Sequence, residues 1–155
     1  MQYLFEDDGL REDRLKGVKR VVIKVGTRLL MDVPGESPEE RVQKLIAEVA
    51  KLRNSGLEVV LVSSGAIGAA LRVLKTTRRP KRMAALQAYA ALGQCHLMTL
   101  YEEACNPYGF HCAQLLLTAA DLHDRDRNLK VTQCLEELLA QGGFYETLYN
   151  SQFAE

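Results

Sequence analysis

Two apolar runs in this chain end alike: Val21-Val22-Ile23 leads into Lys24-Val25-Gly26-Thr27, and Val59-Val60-Leu61-Val62 leads into Ser63-Ser64-Gly65-Ala66. Their β-branched residues mark buried strands, each closed by a glycine turn. The stretch between them is helical in pattern, and strands joined through a helix run parallel. Parallel strands carry their carboxyl-terminal loops to one sheet edge, where α/β folds bind ligands. Both loops are therefore expected to face one crevice. A glycine lets backbone N–H groups approach an anion closely, and the start of the next helix adds positive potential. Lys24 supplies a mobile point charge, so the pair of loops points to phosphoryl transfer.

The remaining elements follow in an alternating order. Arg20 to Val25 reads as the first strand, and Met31 to Ser37, with Pro34 and Gly35, as a loop. Ser37 caps a helix that starts at Pro38, carries Glu39 and Glu40 in its first turn, and stops at Asn54-Ser55-Gly56. Its apolar face is Val42, Leu45, Ile46, Val49 and Leu52. Leu57 to Val62 is the second strand, and Ser64-Gly65 opens a helix of small residues suited to close packing on the sheet. A basic connection leads to a long helix from about Met83 to Ala104, broken by Asn106-Pro107-Tyr108-Gly109. Gly93 inside that helix costs ~1 kcal/mol relative to alanine, which suggests a kink or a close contact there. His111 to Leu117 is a third strand. Thr118 with Asp121 forms an acidic version of the capping box, ahead of helix that reaches Ala140 with one break. The order is that of an α/β protein with a parallel sheet.

With 155 residues and 47% hydrophobic composition, the chain suits one domain with a real core. Lysine plus arginine and aspartate plus glutamate each total 20, so net charge gives no case for nucleic acid or an anionic membrane. Arg78-Arg79-Pro80-Lys81-Arg82 reads as a solvated loop or helix start. The first eighteen residues form a polar arm without the apolar stretch of a secretory signal. No segment reaches the ~20 apolar residues that cross a bilayer, and a cytoplasmic location is expected. Cys95, Cys105, Cys112 and Cys134 lack zinc-site spacing and read as small core or surface residues. His111 beside Cys112 has no second ligand pair, so no metal site is assigned.

There is no G-x-x-x-x-G-K-[ST] segment and no G-x-G-x-x-G after a strand, so the phosphate needs another cradle. Four blocks together provide one. Lys24-Val25-Gly26-Thr27, Val62-Ser63-Ser64-Gly65-Ala66-Ile67, Ala90-Ala91-Leu92-Gly93-Gln94, and Gln114-Leu115-Leu116-Leu117-Thr118 with Asp121, Asp124 and Arg125 resemble, in order, segments of the amino acid kinase family. Within it the pattern looks like the branch that phosphorylates the γ-carboxylate of glutamate. Aspartate kinases resemble a Lys-Phe-Gly-Gly-Thr start that is missing here, and uridylate, acetylglutamate and carbamate kinases are minor rivals.

The resemblance implies a three-layer α/β sandwich with a mainly parallel sheet, the substrates L-glutamate and ATP, Mg²⁺, and a homo-oligomer. It implies that Lys24 neutralises the transferring phosphoryl group and that Gly26 and Thr27 contact the ATP phosphates. Ser64, Gly65 and Ala66 would hold glutamate. It divides the chain into the arm 1–18, the amino-terminal part of the kinase domain 19–142, and a divergent tail 143–155. The family continues with Asn-Glu-Asn-Asp and Gly-Asp-Asn-Asp segments that are not found in this tail, so impaired turnover is expected. The alternative is a non-catalytic isoform that binds substrate or joins full-length subunits. Asn128-Leu129-Lys130-Val131 also departs from the family. Asp121, Asp124, Arg125, Asp126 and Arg127 read as a solvated helix face outside the catalytic set. Met83, Leu86, Tyr89, Leu97, Met98 and Leu100 read as core on the long helix.

Overall fold

A computed structural model describes residues 16–31, 35–141 and, for the backbone alone, 144–149. Residues 1–15 of the expected arm, 32–34 of the expected loop, and 142–143 and 150–155 at the expected tail lie outside the described residues.

The elements are β1 (Arg20–Val25), α1 (Thr27–Met31), α2 (Pro38–Asn54), β2 (Glu58–Ser63), α3 (Ala66–Val73) and α4 (Met83–Cys105). After a 3₁₀ turn at Asn106–Tyr108 come β3 (Cys112–Leu117), α5 (Ala119–His123), α6 (Arg125–Ala140) and β4 (Phe144–Tyr149). The strands form one sheet in the order β1-β2-β4-β3, with every pairing parallel. The structure therefore agrees with a three-layer α/β fold.

The expected α2 forms as its sequence dictates. Ser37 accepts from the Glu40 N–H at 3.1 Å, the Glu40 carboxylate accepts from the Ser37 N–H at 2.8 Å, and Pro38 stands in the first turn. This satisfies two orphan donors reciprocally. Gly56, at φ +88°, turns the chain into β2 in a conformation that L side chains rarely adopt. Val42, Ile46 and Val49 are fully buried against Val25, Val59 and Leu61 of the sheet and Leu97 and Tyr101 of α4, while Leu45 and Leu52 pack at the margin. The core thus fills the space between one sheet face and the pair α2/α4.

The chain then doubles back. From β1 to β2 to β3 the sheet grows in one direction, but β4 inserts between β2 and β3. A right-handed connection that reverses direction must cross on the opposite face. Accordingly α6 meets the Arg20 side chain, which shares its outward sheet face with Glu58: Arg20 donates to Glu58 at 2.8 Å and to Glu136 of α6 at 2.7 Å. α6 buries no residue completely.

Candidate functional site

The two glycine loops end neighbouring strands in register. Lys24 stands beside Val62 and Val25 beside Ser63, so the chains leave the sheet together. The Ser64 N–H donates to the Val25 carbonyl at 3.1 Å, extending the ladder by one bond. Beyond it, the Thr27 hydroxyl donates to the Ser64 hydroxyl oxygen at 3.4 Å. The structure thus brings Gly26, Thr27, Ser64, Gly65 and Ala66 to one sheet edge. Lys24 lies one residue before the end of β1; it is exposed and makes no ion pair among the described residues.

The local backbone leaves donors available. Gly26 is exposed, and a Cβ there would meet nothing within 4 Å, so the room above its backbone is open. Gly65 is the N-cap of α3 and offers no side-chain cap. First-turn N–H groups of a helix lack intrahelical partners, and at α3 these groups sit beside Ser64. The arrangement suits a negatively charged oxygen.

Packing from behind fixes both loops. A Cβ on Gly68 would lie 3.0 Å from both Thr27 Cγ2 and Met31 Cγ, so α3 sits tightly against α1. On the other side of α3, a Cβ on Gly93 would fall 1.7 Å from the Ala66 carbonyl oxygen and 2.6 Å from the Ala70 nitrogen. The glycine therefore serves a close backbone contact between α4 and α3. Arg41 of α2 is buried; its guanidinium donates to the Leu29 carbonyl and meets Glu36 at 3.5 Å. It anchors α1, which follows directly from Gly26-Thr27. The roles of Arg41 and Gly68 were not read from the sequence. Arg41 sits among charged residues of α2, and only its burial separates it from them. Gly68 stands three residues after Gly65, a small-residue signal already present in the helix.

The other sequence candidates take structural places. Glu102 accepts from the Cys112 N–H at 2.7 Å and contacts His111 Nδ1 at 2.9 Å, tying β3 to α4. These hydrogen bonds, His111 first, hold the Glu102 carboxyl below the usual carboxylate range. Thr118 and Asp121 form the expected capping box, Asp124 accepts from the Arg127 N–H at 2.9 Å, and Arg127 approaches Asp121 at 3.8 Å. Cys105 is buried, Cys112 half-buried, and Cys95 and Cys134 exposed, and among the described residues none of the four forms a disulfide. Among the described residues, no three His, Cys, Asp or Glu side chains could together hold a metal ion, and no helix is long and apolar enough to cross a membrane.

The sequence profile of the amino acid kinase family matches residues 19–145. Among curated relatives, the glutamate 5-kinase of Caldanaerobacter subterraneus subsp. tengcongensis is 46% identical over 123 residues, which are 79% of this chain and 33% of that protein. The glutamate 5-kinase of Symbiobacterium thermophilum is 45% identical over 130 residues, 84% of this chain and 50% of the relative. That of Pelobacter propionicus is 41% identical over 133 residues, 86% and 36% respectively. The chain spans between a third and a half of the length of these relatives.

Proposed function

The chain belongs to the amino acid kinase family, and from that premise we propose that it is the amino-terminal portion of a glutamate 5-kinase. The reaction transfers the γ-phosphoryl group of ATP to the γ-carboxylate of L-glutamate, giving γ-glutamyl phosphate and ADP, the first step of proline biosynthesis. The observation that carries the reading is the Thr27–Ser64 contact at 3.4 Å, which joins the two loops at the ends of adjacent parallel strands.

A carboxylate oxygen attacks the γ-phosphorus while the bond to the ADP oxygen breaks. The carboxylate is already ionised at neutral pH, so no proton is removed and no general base is needed. What the protein supplies is position and charge. The Lys24 ammonium neutralises the transferring group, and the Gly26 backbone and Thr27 hydroxyl hold ATP phosphates. Ser64, Gly65 and Ala66 hold glutamate at the uncapped start of α3. Mg²⁺ would enter with the nucleotide, held through phosphate oxygens and offsetting their charge. This fits a loop pair that offers donors in place of carboxylate ligands.

The test is a chimera in which residues 19–142 replace the matching segment of the Symbiobacterium relative. We expect ATP-dependent glutamyl hydroxamate formation in the presence of hydroxylamine, lowered about 10²–10³-fold by Lys24→Ala. A folded chimera without hydroxamate formation or glutamate binding overturns the reading. The 155 residues by themselves are expected to turn over negligibly.

A second reading, association with full-length subunits without turnover, draws support from Met83 and Leu92 on α4, 48% and 41% exposed. The two stand nine residues apart, on opposite sides of the helix, and each offers a single apolar contact to a partner subunit. Native mass measurement of the chain mixed with the full-length relative distinguishes this case, mixed oligomers without hydroxamate formation being its signature.

A further inference from the structure

The chain is neutral overall, yet its charge is distributed unevenly. From Val59 to Tyr101 there is no aspartate or glutamate, and this stretch carries Arg72, Lys75, Arg78, Arg79, Lys81 and Arg82. The structure folds much of that charge around a cleft. Beside the Thr27–Ser64 contact, on the α1/α3 side, Met31, Ile67 and Leu71 line a depression of about 480 Å³ together with Arg72, Lys75 and Arg79. Thr27, Thr76 and Thr77 add hydroxyl groups to the lining, and among the described residues no carboxylate contributes to it. An adjoining cleft of about 360 Å³ shares Arg79 and is lined by Arg78, Lys81 and Arg82.

These cations are unspent. Among the described residues, Arg72, Lys75 and Arg79 make no ion pair. Glu39 of α2 lies within electrostatic reach of Arg72 but outside the cleft lining. Lys75 holds φ +51°, the non-glycine residue with positive φ among those described. Such a conformation costs of order 1 kcal/mol and persists where the surroundings fix it. Here it stands in a connector whose Arg79 lines the same cleft. Like charges gathered without counter-charge repel one another, and a multivalent anion relieves that repulsion.

We propose that this cleft is a binding site for a small multivalent oxyanion, separate from the crevice of Lys24. The guanidinium groups of Arg72 and Arg79 offer forked N–H donors, Lys75 a point charge, and the threonines neutral hydroxyls, a set that suits phosphate or carboxylate oxygens. Thr27 is the wall common to both sites. Occupancy of the cleft would therefore bear on the loop that ends β1.

Calorimetric titration of the 155-residue chain with sodium pyrophosphate, and separately with citrate, tests this without reference to turnover, so a chain inert as a kinase is still informative. We expect saturable binding of pyrophosphate with a component weakened about tenfold or more by Arg79→Gln and by Lys75→Gly. Lys75→Gly removes the charge at a backbone position that glycine adopts freely, and Arg79→Gln alters an exposed connector residue, so both variants are expected to keep the parent melting curve. Equal binding of citrate assigns recognition to oxyanions in general, and binding of pyrophosphate alone restricts it to phosphates. No saturable binding of either probe, or parent-like binding in both Arg79→Gln and Lys75→Gly, overturns the proposal.

Discussion

The two faces of the sheet are built on different terms. On the α2/α4 face, Val42, Ile46, Val49, Leu97 and Tyr101 are fully buried. On the α6 face, Val22 is 63% exposed on edge strand β1, and α6 itself, with Leu129 at 56%, buries no residue completely. Burying one large aliphatic side chain is worth about 1.5–3 kcal/mol, so the first face dominates the stability. The second is tied through polar groups, of which the Arg20 contacts with Glu58 and Glu136 are the best defined. The glycine loops are consequently aligned from one side. Their strands, the helices behind them and the helix-to-helix contacts all belong to the packed face.

The largest expected effect comes from Gly93→Ala. A methyl group 1.7 Å from a backbone carbonyl oxygen has no flexible neighbour to displace. Overpacking of this kind costs about 3 kcal/mol or more, and we expect loss of the cooperative thermal transition. A direct contrast between the faces comes next. Ile46→Ala should cost about 2–5 kcal/mol in urea denaturation, whereas Leu129→Ala should stay within about 0.5 kcal/mol. Equal effects would mean that the α6 face contributes to the core as fully as α2 does. Arg41→Ala follows: loss of a buried donor to the Leu29 carbonyl should cost about 1–3 kcal/mol. The same variant should weaken glutamate and nucleotide binding in the chimera, because α1 is released.

The sequence carried β1, β2, α2 and α4 of the packed face almost to the residue, because there hydrophobic period and burial coincide, whereas α1 is a helix that the sequence reading lacks, its last residue Met31 being expected in a loop. Ser37, Pro38 and Gly56 bound α2 by local chemistry, and the Val/Ile/Leu runs of β1 and β2 read as strands without further context. β4 was harder. Its aromatic and β-branched residues, Phe144, Tyr145, Thr147 and Tyr149, have strand propensity, but the segment was read as a divergent tail, and nothing local states that a strand inserts between β2 and β3. Pairing partners are set by the connection's handedness and by the helix that crosses back. At the site, the loops were legible as glycine turns after apolar runs. The anchoring of α1 by Arg41 and the meeting of Gly93 with Ala66 were not, since both depend on which helices lie side by side.

A smaller effect sharpens the contrast at the join between the regions. Glu102 connects α4 to the start of β3, and its carboxyl is held below its ordinary range chiefly by the hydrogen bond to His111, then by the Cys112 N–H. A folded-state value below the unfolded one stabilises above the unfolded pKa, about 4.3 for glutamate, and that stabilisation drains as pH falls through the folded value. Urea midpoints of Glu102→Gln should therefore fall less than those of the parent between neutral pH and acid. Ser37→Ala should cost about 1 kcal/mol through loss of the α2 cap.

Thr27 faces two ways: its hydroxyl toward Ser64 and its methyl toward Gly68. A single short side chain is thus the spacer between a helix-packing distance and the gap separating the loops. Enlarging residue 68 would be felt in that gap, because its Cβ would press on the Thr27 methyl group. Substitutions there should therefore register first as altered ligand preference, and only afterwards as lowered melting temperature.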